Sequence, residues 1–332
     1  MHGKRVHIVP VGDDVDRMVG PAIEMRADVV YLLAHAPGGV EGTERVAGLP
    51  DVEWGEEDSV ERYVETLDRQ GFGVAAGAVE RLAARGVAAP VEFIDQGDVY
   101  AVLGLTTTLA HRRPADDDVA VNVSTGTRLA TIGAAMARMD EDTDAQAYHV
   151  PAGGDDAATW TAGDGVADIP DYHLASPSRD ELAAMAVVAA RDTAVYTAKK
   201  SDLIDWALRL RAEAGVSTDY ADRIVRRRLD RDPGAAQPAR FDDLDSSGKK
   251  GAYRTLRTQV LDTLVDREYV EIDDGQIGRA DPVTLTPTGE ATLQAFRHKV
   301  LDVVSALDDH RDVEELPTWL RRGLDDGVRN RS

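Results

Sequence analysis

Apolar and polar positions along this chain follow two different plans, and the change falls near the middle. Arg5–Val9 is a short apolar run, followed by Val11-Gly12-Asp13-Asp14 and a helical spacing to about Met25. Asp28–Leu33 (DVVYLL) reads as a second strand, then comes a Gly/Pro-rich loop at Ala36–Gly39. Helical spacing runs from about Asp58 to Arg85, with a break at Gly71–Gly73. Val91–Ile94 is a third strand, Val99–Ala110 a helix, Val119–Val123 a fourth strand, and Ala145–Val150 a fifth. An Ala-rich helix to Met139 opens near Gly126, with Ser124 or Thr125 as its cap. Strands alternating with helices predict a doubly wound, mainly parallel, Rossmann-like α/β sheet. Continuous apolar strands such as VVYLL fit burial on both faces.

After a Gly/Asp-rich connection at Gly153–Asp171 the plan changes. Arg179–Arg191 spaces as an amphipathic helix, and Ser201 is placed to cap a second over Asp202–Arg211. Tyr220–Leu229 is a third and contains Arg226-Arg227-Arg228. Lys249–Leu264 is a fourth, with Tyr253, Leu256, Val260 and Leu264 on one stripe and Arg254 and Thr258 opposite. Glu268–Ile272 reads as a strand, Asp273-Asp274-Gly275 as a tight turn, and Gln276–Ala280 and Val283–Leu285 as the return. Thr286 and Pro287 then open a further helix. Leu293, Phe296, Val300, Val303, Val304 and Leu307 form an apolar stripe, which fits packing on its own domain or a dimer helix.

Composition narrows the chemistry. The chain has 332 residues, 43% of them hydrophobic, enough for a real core. Its 42 Asp, 18 Glu, 32 Arg and only 6 Lys give a net charge of −22, the balance of a protein kept hydrated in concentrated salt. With no cysteine, disulfides, thiolate nucleophiles and Cys-ligated metals are excluded. No apolar run reaches the length of a membrane helix, so a cytoplasmic protein with no membrane partner is expected. The charge is uneven. Residues 1–170 carry 30 acids and 13 bases, whereas 199–267 carry 12 acids and 15 bases. A locally basic stretch on so acidic a background fits either a solvated helical surface or a polyanion-binding module.

In doubly wound sheets, ligands bind outside the carboxyl ends of the strands. Two loops qualify: one after the first strand, with Val11, Gly12, Asp13, Asp14 and Arg17, and one after the fourth, with Asn122, Ser124, Thr125, Gly126, Thr127 and Arg128. The second offers hydroxyls, a glycine and a helix N-terminus, which favour an anion such as phosphate. The alternative is a plain strand-to-helix turn. Neither a G-x-G-x-x-G nor a P-loop motif is present, and no cofactor or metal is expected.

The order helix, strand, turn, strand, VTLTPTGEATL and helix resembles the winged helix-turn-helix DNA-binding domain over roughly Arg179–Lys299. An insertion near 212–247 departs from the compact form and obscures which helix precedes the recognition helix. The resemblance implies that Lys249–Leu264 enters the major groove, with Lys249, Lys250, Arg254, Arg257 and Thr258 on DNA and Gln276 and Arg279 on the wing. The opening HIVPVGDDVDRMVGPAIEMRADVVYLL and the segment NVSTGTRLATIGAAMA resemble the CRISPR-associated Rossmann-fold (CARF) family. A CARF-like sensor at 1–170, a winged helix at 171–310 and a tail at 311–332 resemble archaeal transcriptional regulators, haloarchaeal ones among them. That resemblance implies a homodimer with the pocket on the two-fold axis, a pseudo-palindromic promoter site, and a small anionic, nucleotide-like effector. In the CRISPR members that effector is a cyclic oligoadenylate. The expectation is a regulator and not an enzyme. The rival is a ring nuclease using Ser124, Thr125 and Arg128; His7 and His111 show no triad or metal spacing.

Overall fold

The computed structural model describes residues 3–36, 49–140, 143–150, 167–168, 176–191, 197–272, 282–308, 317 and 320. The chain divides into two units, Met1–Ala175 and Ser176–Ser332.

The first unit is a sheet ordered β3-β2-β1-β4-β5-β6. Its strands are β1 (Arg5–Pro10), β2 (Val29–His35), β3 (Val91–Ile94), β4 (Asp118–Asn122), β5 (Ala145–His149) and the two-residue β6 (Ala167–Asp168). The first five run parallel; β6, which the sequence pattern does not announce, is antiparallel to β5. The central β1 alternates its side chains between faces. Val9 packs with α1 (Val15–Glu24), α2 (Glu57–Arg69) and α3 (Gly73–Ala83). Val6 and Ile8 pack with α4 (Val99–His111) and α5 (Arg128–Arg138). Both faces are therefore largely apolar, which is why β2 reads as a continuous hydrophobic run from Val29 to Ala34. The helical pattern of 58–85 splits into α2 and α3 at Gly71, whose φ of +92° ends the first helix.

Chain order runs outward from β1 through β2 to β3 on one side, then crosses to β4 and β5 on the other. The carboxyl ends of β1 and β4 thus flank the point where the winding reverses, the place where such sheets open a crevice.

The second unit is built around α6 (Arg179–Arg191), buried continuously from Glu181 to Ala190. The sequence spacing suggests a one-sided amphipathic helix; instead α6 is central, because later elements cover every side of it. Helix α7 (Lys200–Arg209) runs on through a π-helical turn, Leu210–Ala214. Its cap is Lys199, whose N–H donates to Asp202 Oδ2 at 2.9 Å, and not Ser201. Then come α8 (Asp219–Arg231) and a long helix made of α9 (Ser246–Leu256), a π-helical segment (Arg257–Leu261) and α10 (Asp262–Asp266). Strands β7 (Val270–Ile272) and β8 (Val283–Leu285) pair antiparallel. Helix α11 (Pro287–Phe296) starts at a Thr286 cap as the sequence predicts, and α12 (Leu301–Asp308) follows. A Cβ on Gly289 would lie 1.9 Å from the Tyr269 carbonyl, so the glycine of T-P-T-G lets α11 press onto the chain before β7. Leu293, Val300, Val303, Val304 and Leu307 are all 0% exposed. The apolar stripe is thus used up inside its own unit, and the dimer-helix reading loses its surface.

One bridge resolves the ambiguity left by the insertion. Lys199 pairs with Pro282, and Val283 N donates to Ala198 O at 2.7 Å. The segment before α7 therefore adds a one-residue bridge to the β7–β8 sheet. Helix α7 follows this bridge, α8 is the extra helix in the segment that the sequence sets apart, and the long helix from α9 to α10 leads into β7.

Candidate functional site

At the carboxyl edge of the first unit, the loops after β1 and β4 meet backbone to backbone. A Cβ on Gly12 would lie 2.6 Å from Gly126 N. Gly126 itself has φ +84°, and a Cβ there would meet Pro10 Cβ at 2.6 Å and Gln96 Oε1 at 3.0 Å. Thr125 Oγ1 donates to Pro10 O at 2.7 Å.

Asn122 has a specific local reason to be there. Pro21 lies within α1 and has no N–H to give the carbonyl four residues back, that of Arg17. Asn122 Nδ2 donates to that Arg17 carbonyl at 3.0 Å, and Asn122 Oδ1 accepts from Ser124 N at 2.8 Å. One buried amide thus repairs α1 and sets the turn after β4. Arg17 donates through Nη2 to Val150 O, and Ser124 Oγ accepts from Val150 N.

A residue that the sequence reading misses holds three loops together. Gln96, 1% exposed, follows β3. Its Nε2 donates to Val11 O (3.0 Å) and Leu33 O (2.7 Å). Its Oε1 accepts from Thr127 N (3.0 Å), and its carbonyl accepts from Thr127 Oγ1. The signal was available: Asp95-Gln96-Gly97-Asp98 is a third loop on the same carboxyl edge. Gln96→Leu keeps the volume but strands several buried partners. It should cost about 2–4 kcal/mol in urea unfolding, as expected for orphaned buried polar groups.

The sequence-predicted ligand residues therefore fall into three groups by burial. Asn122 and Thr125 are buried and tie the loops together. Val11, Gly12, Arg17, Ser124 and Gly126 are half-buried, while Asp13, Asp14, Thr127 and Arg128 are exposed. Two caps aim helix N-termini at this edge. Asp14 accepts from Arg17 N (3.1 Å), and Thr127, not Ser124 or Thr125, accepts from Ala130 N (3.1 Å). The first turn of α5 leaves N–H groups without helical partners, with Arg128 beside them. Such an arrangement suits an anion.

Below this edge, His7 on β1 is buried, with Nδ1 3.0 Å from the Tyr148 hydroxyl. Burial, aided by the Arg5 charge, lowers its pKa to about 4. The folded state therefore resists protonation that the unfolded chain accepts below its ordinary pKa of 6.5. Stability is at its full value above that pH, falls as pH drops from 6.5, and levels off below about 4. The loss approaches about 3 kcal/mol. Urea melts at pH 7 and pH 5 should show this slope in the wild type and not in His7→Gln.

In the second unit, the long helix that runs from α9 through the π-helical segment into α10, called α9 from here on, carries two faces. Leu256, Val260 and Leu264 are 0% exposed, and Tyr253 is half-buried against Phe241 (centroids 5.3 Å apart). Lys250, Arg254, Arg257 and Thr258 are exposed. Lys249 is held by Asp242 at 2.8 Å over the Phe241 ring, so it stands apart from the other cations. Arg257 meets Asp262 at 3.3 Å. Gln276 and Arg279 lie outside the described residues, as do the Asp273–Gly275 turn and most of the tail. Among the described residues, no His/Asp/Glu group could hold a metal ion, and no helix is long and apolar enough to cross a membrane.

A wing sheet closed by the segment before α7, with one helix leading straight into it, decides the type of this unit, and residues 180–297 match the DUF6293 C-terminal winged helix domain. The second unit is a winged helix domain. Residues 5–154 match the family described as "HFX_2341_N:-like, N-terminal", so the chain couples that domain to the winged helix. No curated protein matches the chain. Among solved structures, it is similar to Can2 from Sulfobacillus thermosulfidooxidans in complex with cyclic tetra-adenylate. Identity is 11% and the TM-score 0.28, over 91% of this chain and 64% of Can2. It is also similar to protein VC1899 from Vibrio cholerae, at 13% and 0.28 over 91% of this chain and 67% of that one. Enterococcus italicus Csm6 bound to cyclic hexa-2′-fluoro-hexa-dAMP matches at 12% and 0.28, over 99% of this chain and 55% of Csm6. These likenesses are distant, and this chain spans less than two thirds of Can2 and of Csm6.

Proposed function

We propose that the chain is a ligand-responsive, DNA-binding transcriptional regulator. The observation that carries the reading is the winged helix whose helix α9, leading into the wing, presents Lys250, Arg254, Arg257 and Thr258 to solvent. In a chain of net charge −22, cations gathered on that face fit a polyanionic partner. DNA is that partner, with arginines able to address guanine edges and the lysine positioning on phosphate. The effector is a small anionic, nucleotide-like molecule, with cyclic oligoadenylate as the candidate that the CARF resemblance supplies. It would sit on the carboxyl edge of β1 and β4, near Gly12, Gly126, Thr127 and Arg128. Its effect on DNA requires different affinity for two arrangements of the protein. Mobility shifts of the full chain on DNA from upstream of its own gene, with and without cyclic tetra-adenylate, test both halves. No shift removes the DNA reading; a shift indifferent to the nucleotide removes that effector.

The reading includes a homodimer. Tyr100, Leu129 and Ile132 are 42%, 44% and 49% exposed near the starts of α4 and α5, two helices that pack closely on each other. A second copy covering these side chains would put the two carboxyl edges side by side. Leu129→Glu with Ile132→Glu should convert a dimer to a monomer in light scattering; an unchanged mass would remove this interface. Catalysis is disfavoured in this reading. Thr125 Oγ1 is committed to Pro10 O, Ser124 Oγ is bound by Val150 N, and His7 is buried away from the edge.

A further inference from the structure

We propose that α8, the helix inserted between α7 and α9, is a second DNA-binding element. Its Arg223, Arg227 and Arg231 would grip the phosphate backbone beside the groove that α9 enters. This inference rests on the DNA-binding reading above and gives the insertion a role.

The placement comes from three contacts. With its amide oxygen turned toward the guanidinium, Gln259 accepts from Arg223 Nε at 3.1 Å. Arg227 Nη1 donates to Thr255 Oγ1 at 2.8 Å, and Arg231 Nη1 donates to Ser247 Oγ at 2.9 Å. Residue numbers rise along α8 as they fall along α9, so the two helices run antiparallel. The three arginines are spaced at i, i+4 and i+8, which places them in one row on α8. That row lies along the edge of the α9 surface that carries Lys250, Arg254 and Thr258. A cleft of about 140 Å³ runs between the helices, lined by Arg227, Arg228, Arg231 and Ser247, with Asp232 and Asp245 also on its wall.

The helix is a fixed ledge. Tyr220, Ala221, Ile224 and Val225 are buried beneath it, and the Tyr220 hydroxyl donates to Leu203 O at 3.0 Å. Asp180 accepts from the N–H groups of Asp219 (2.9 Å) and Tyr220 (3.0 Å) at its start. Arginines on such a base lose little freedom on binding.

The partners of these arginines are the decisive point. Elsewhere in this unit several described cations meet carboxylates, Arg211 with Asp222, Arg179 with Asp302, Lys249 with Asp242 and Arg257 with Asp262, whereas Arg228 donates to the Asp243 carbonyl and Lys299 to the Ser176 hydroxyl. Arg223, Arg227 and Arg231 are exposed, and each is oriented by a neutral amide or hydroxyl. Such bonds aim a guanidinium without cancelling its charge, and its remaining N–H groups keep the fork geometry that phosphate oxygens accept. In a chain with 60 acidic side chains, three aligned arginines oriented by neutral groups fit a surface that meets an outside polyanion.

The test is fluorescence anisotropy of the full chain on a duplex from upstream of its own gene, across a KCl series. The triple variant Arg223→Gln, Arg227→Gln, Arg231→Gln should bind roughly tenfold to a thousandfold more weakly, and the slope of log Kd against log salt should fall by roughly three. The corresponding triple lysine variant should keep most of the slope, because charge is retained. Arg226→Gln, facing Asp222 and not α9, should behave as wild type. Thermal melts establish that each variant is folded. An unchanged slope in a folded glutamine triple overturns the proposal, as does equal weakening by glutamine and lysine, which would mean that the arginines only hold α9. If Arg254→Ala with Arg257→Ala weakens binding while the α8 triple does not, this inference falls and the DNA reading stands. A wild type that binds no DNA removes both.

Discussion

Gly126→Val is expected to unmake the edge of the first unit and with it any effector binding. The backbone there has φ +84°, a region that a β-branched residue enters only under strain. The new side chain would start 2.6 Å from Pro10 Cβ and 3.0 Å from Gln96 Oε1. Neither neighbour can step aside freely. Pro10 ends the central strand, and Gln96 is bonded to Val11, Leu33 and Thr127 at once. Strain and overpacking together should cost about 2–6 kcal/mol. Urea unfolding followed by far-UV circular dichroism measures it. Because the damage centres on the β1 and β4 loops, nucleotide-dependent thermal shifts should vanish even where the variant remains folded. A variant as stable as wild type would mean that the two loops do not meet as described.

The second large effect concerns DNA. Arg254 and Arg257 are exposed on the helix that leads into the wing, one turn of the chain apart. The contact of Arg257 with Asp262, 3.3 Å between exposed groups, is worth at most about 1 kcal/mol and does not prevent Arg257 from turning to DNA. Each arginine that makes a bidentate contact with a base edge contributes about 1–3 kcal/mol. Arg254→Ala with Arg257→Ala should therefore weaken binding to the target duplex by roughly 30-fold or more. The apolar stripe of Leu256, Val260 and Leu264 is untouched, so the melting temperature should stay close to that of wild type.

Much of the fold could be read from the chain because its strands and helices obey strong periods. Val119–Val123 and Val91–Ile94 were plain as short segments dominated by apolar residues, and Gly71 marked the break between α2 and α3. The two-residue β6 was not legible, since so short a segment has no period. Helix α6 misled for a different reason. Its alanines and valines space like an amphipathic helix, but whether the remaining positions face solvent depends on what later elements cover.

The candidate site was legible by location more than by role. The rule that ligands gather at strand carboxyl ends found both loops. It gave no means of separating Asn122, Thr125 and Thr127, whose side chains bond across the loops, from Arg128, which is exposed. That division depends on the missing N–H of Pro21 and on the long-range partner Gln96, seen only when β3 and β4 are brought together. The insertion was visible as a departure in length. Its row of arginines could not be aligned with Gln259, Thr255 and Ser247 until the antiparallel packing of α8 on α9 was known.

The central claim, that this chain reads specific DNA through its winged helix, is tested most directly by selecting genomic DNA with the purified full chain in concentrated KCl and sequencing what is retained. High salt suppresses the nonspecific phosphate term and leaves shape and base contacts to decide. The account predicts a small set of enriched sites with inverted half-sites about one helical turn, or a multiple, apart, lost with Arg254→Ala and Arg257→Ala. Recovery of no sequence above the input, or of the same sites by the double variant, would contradict it.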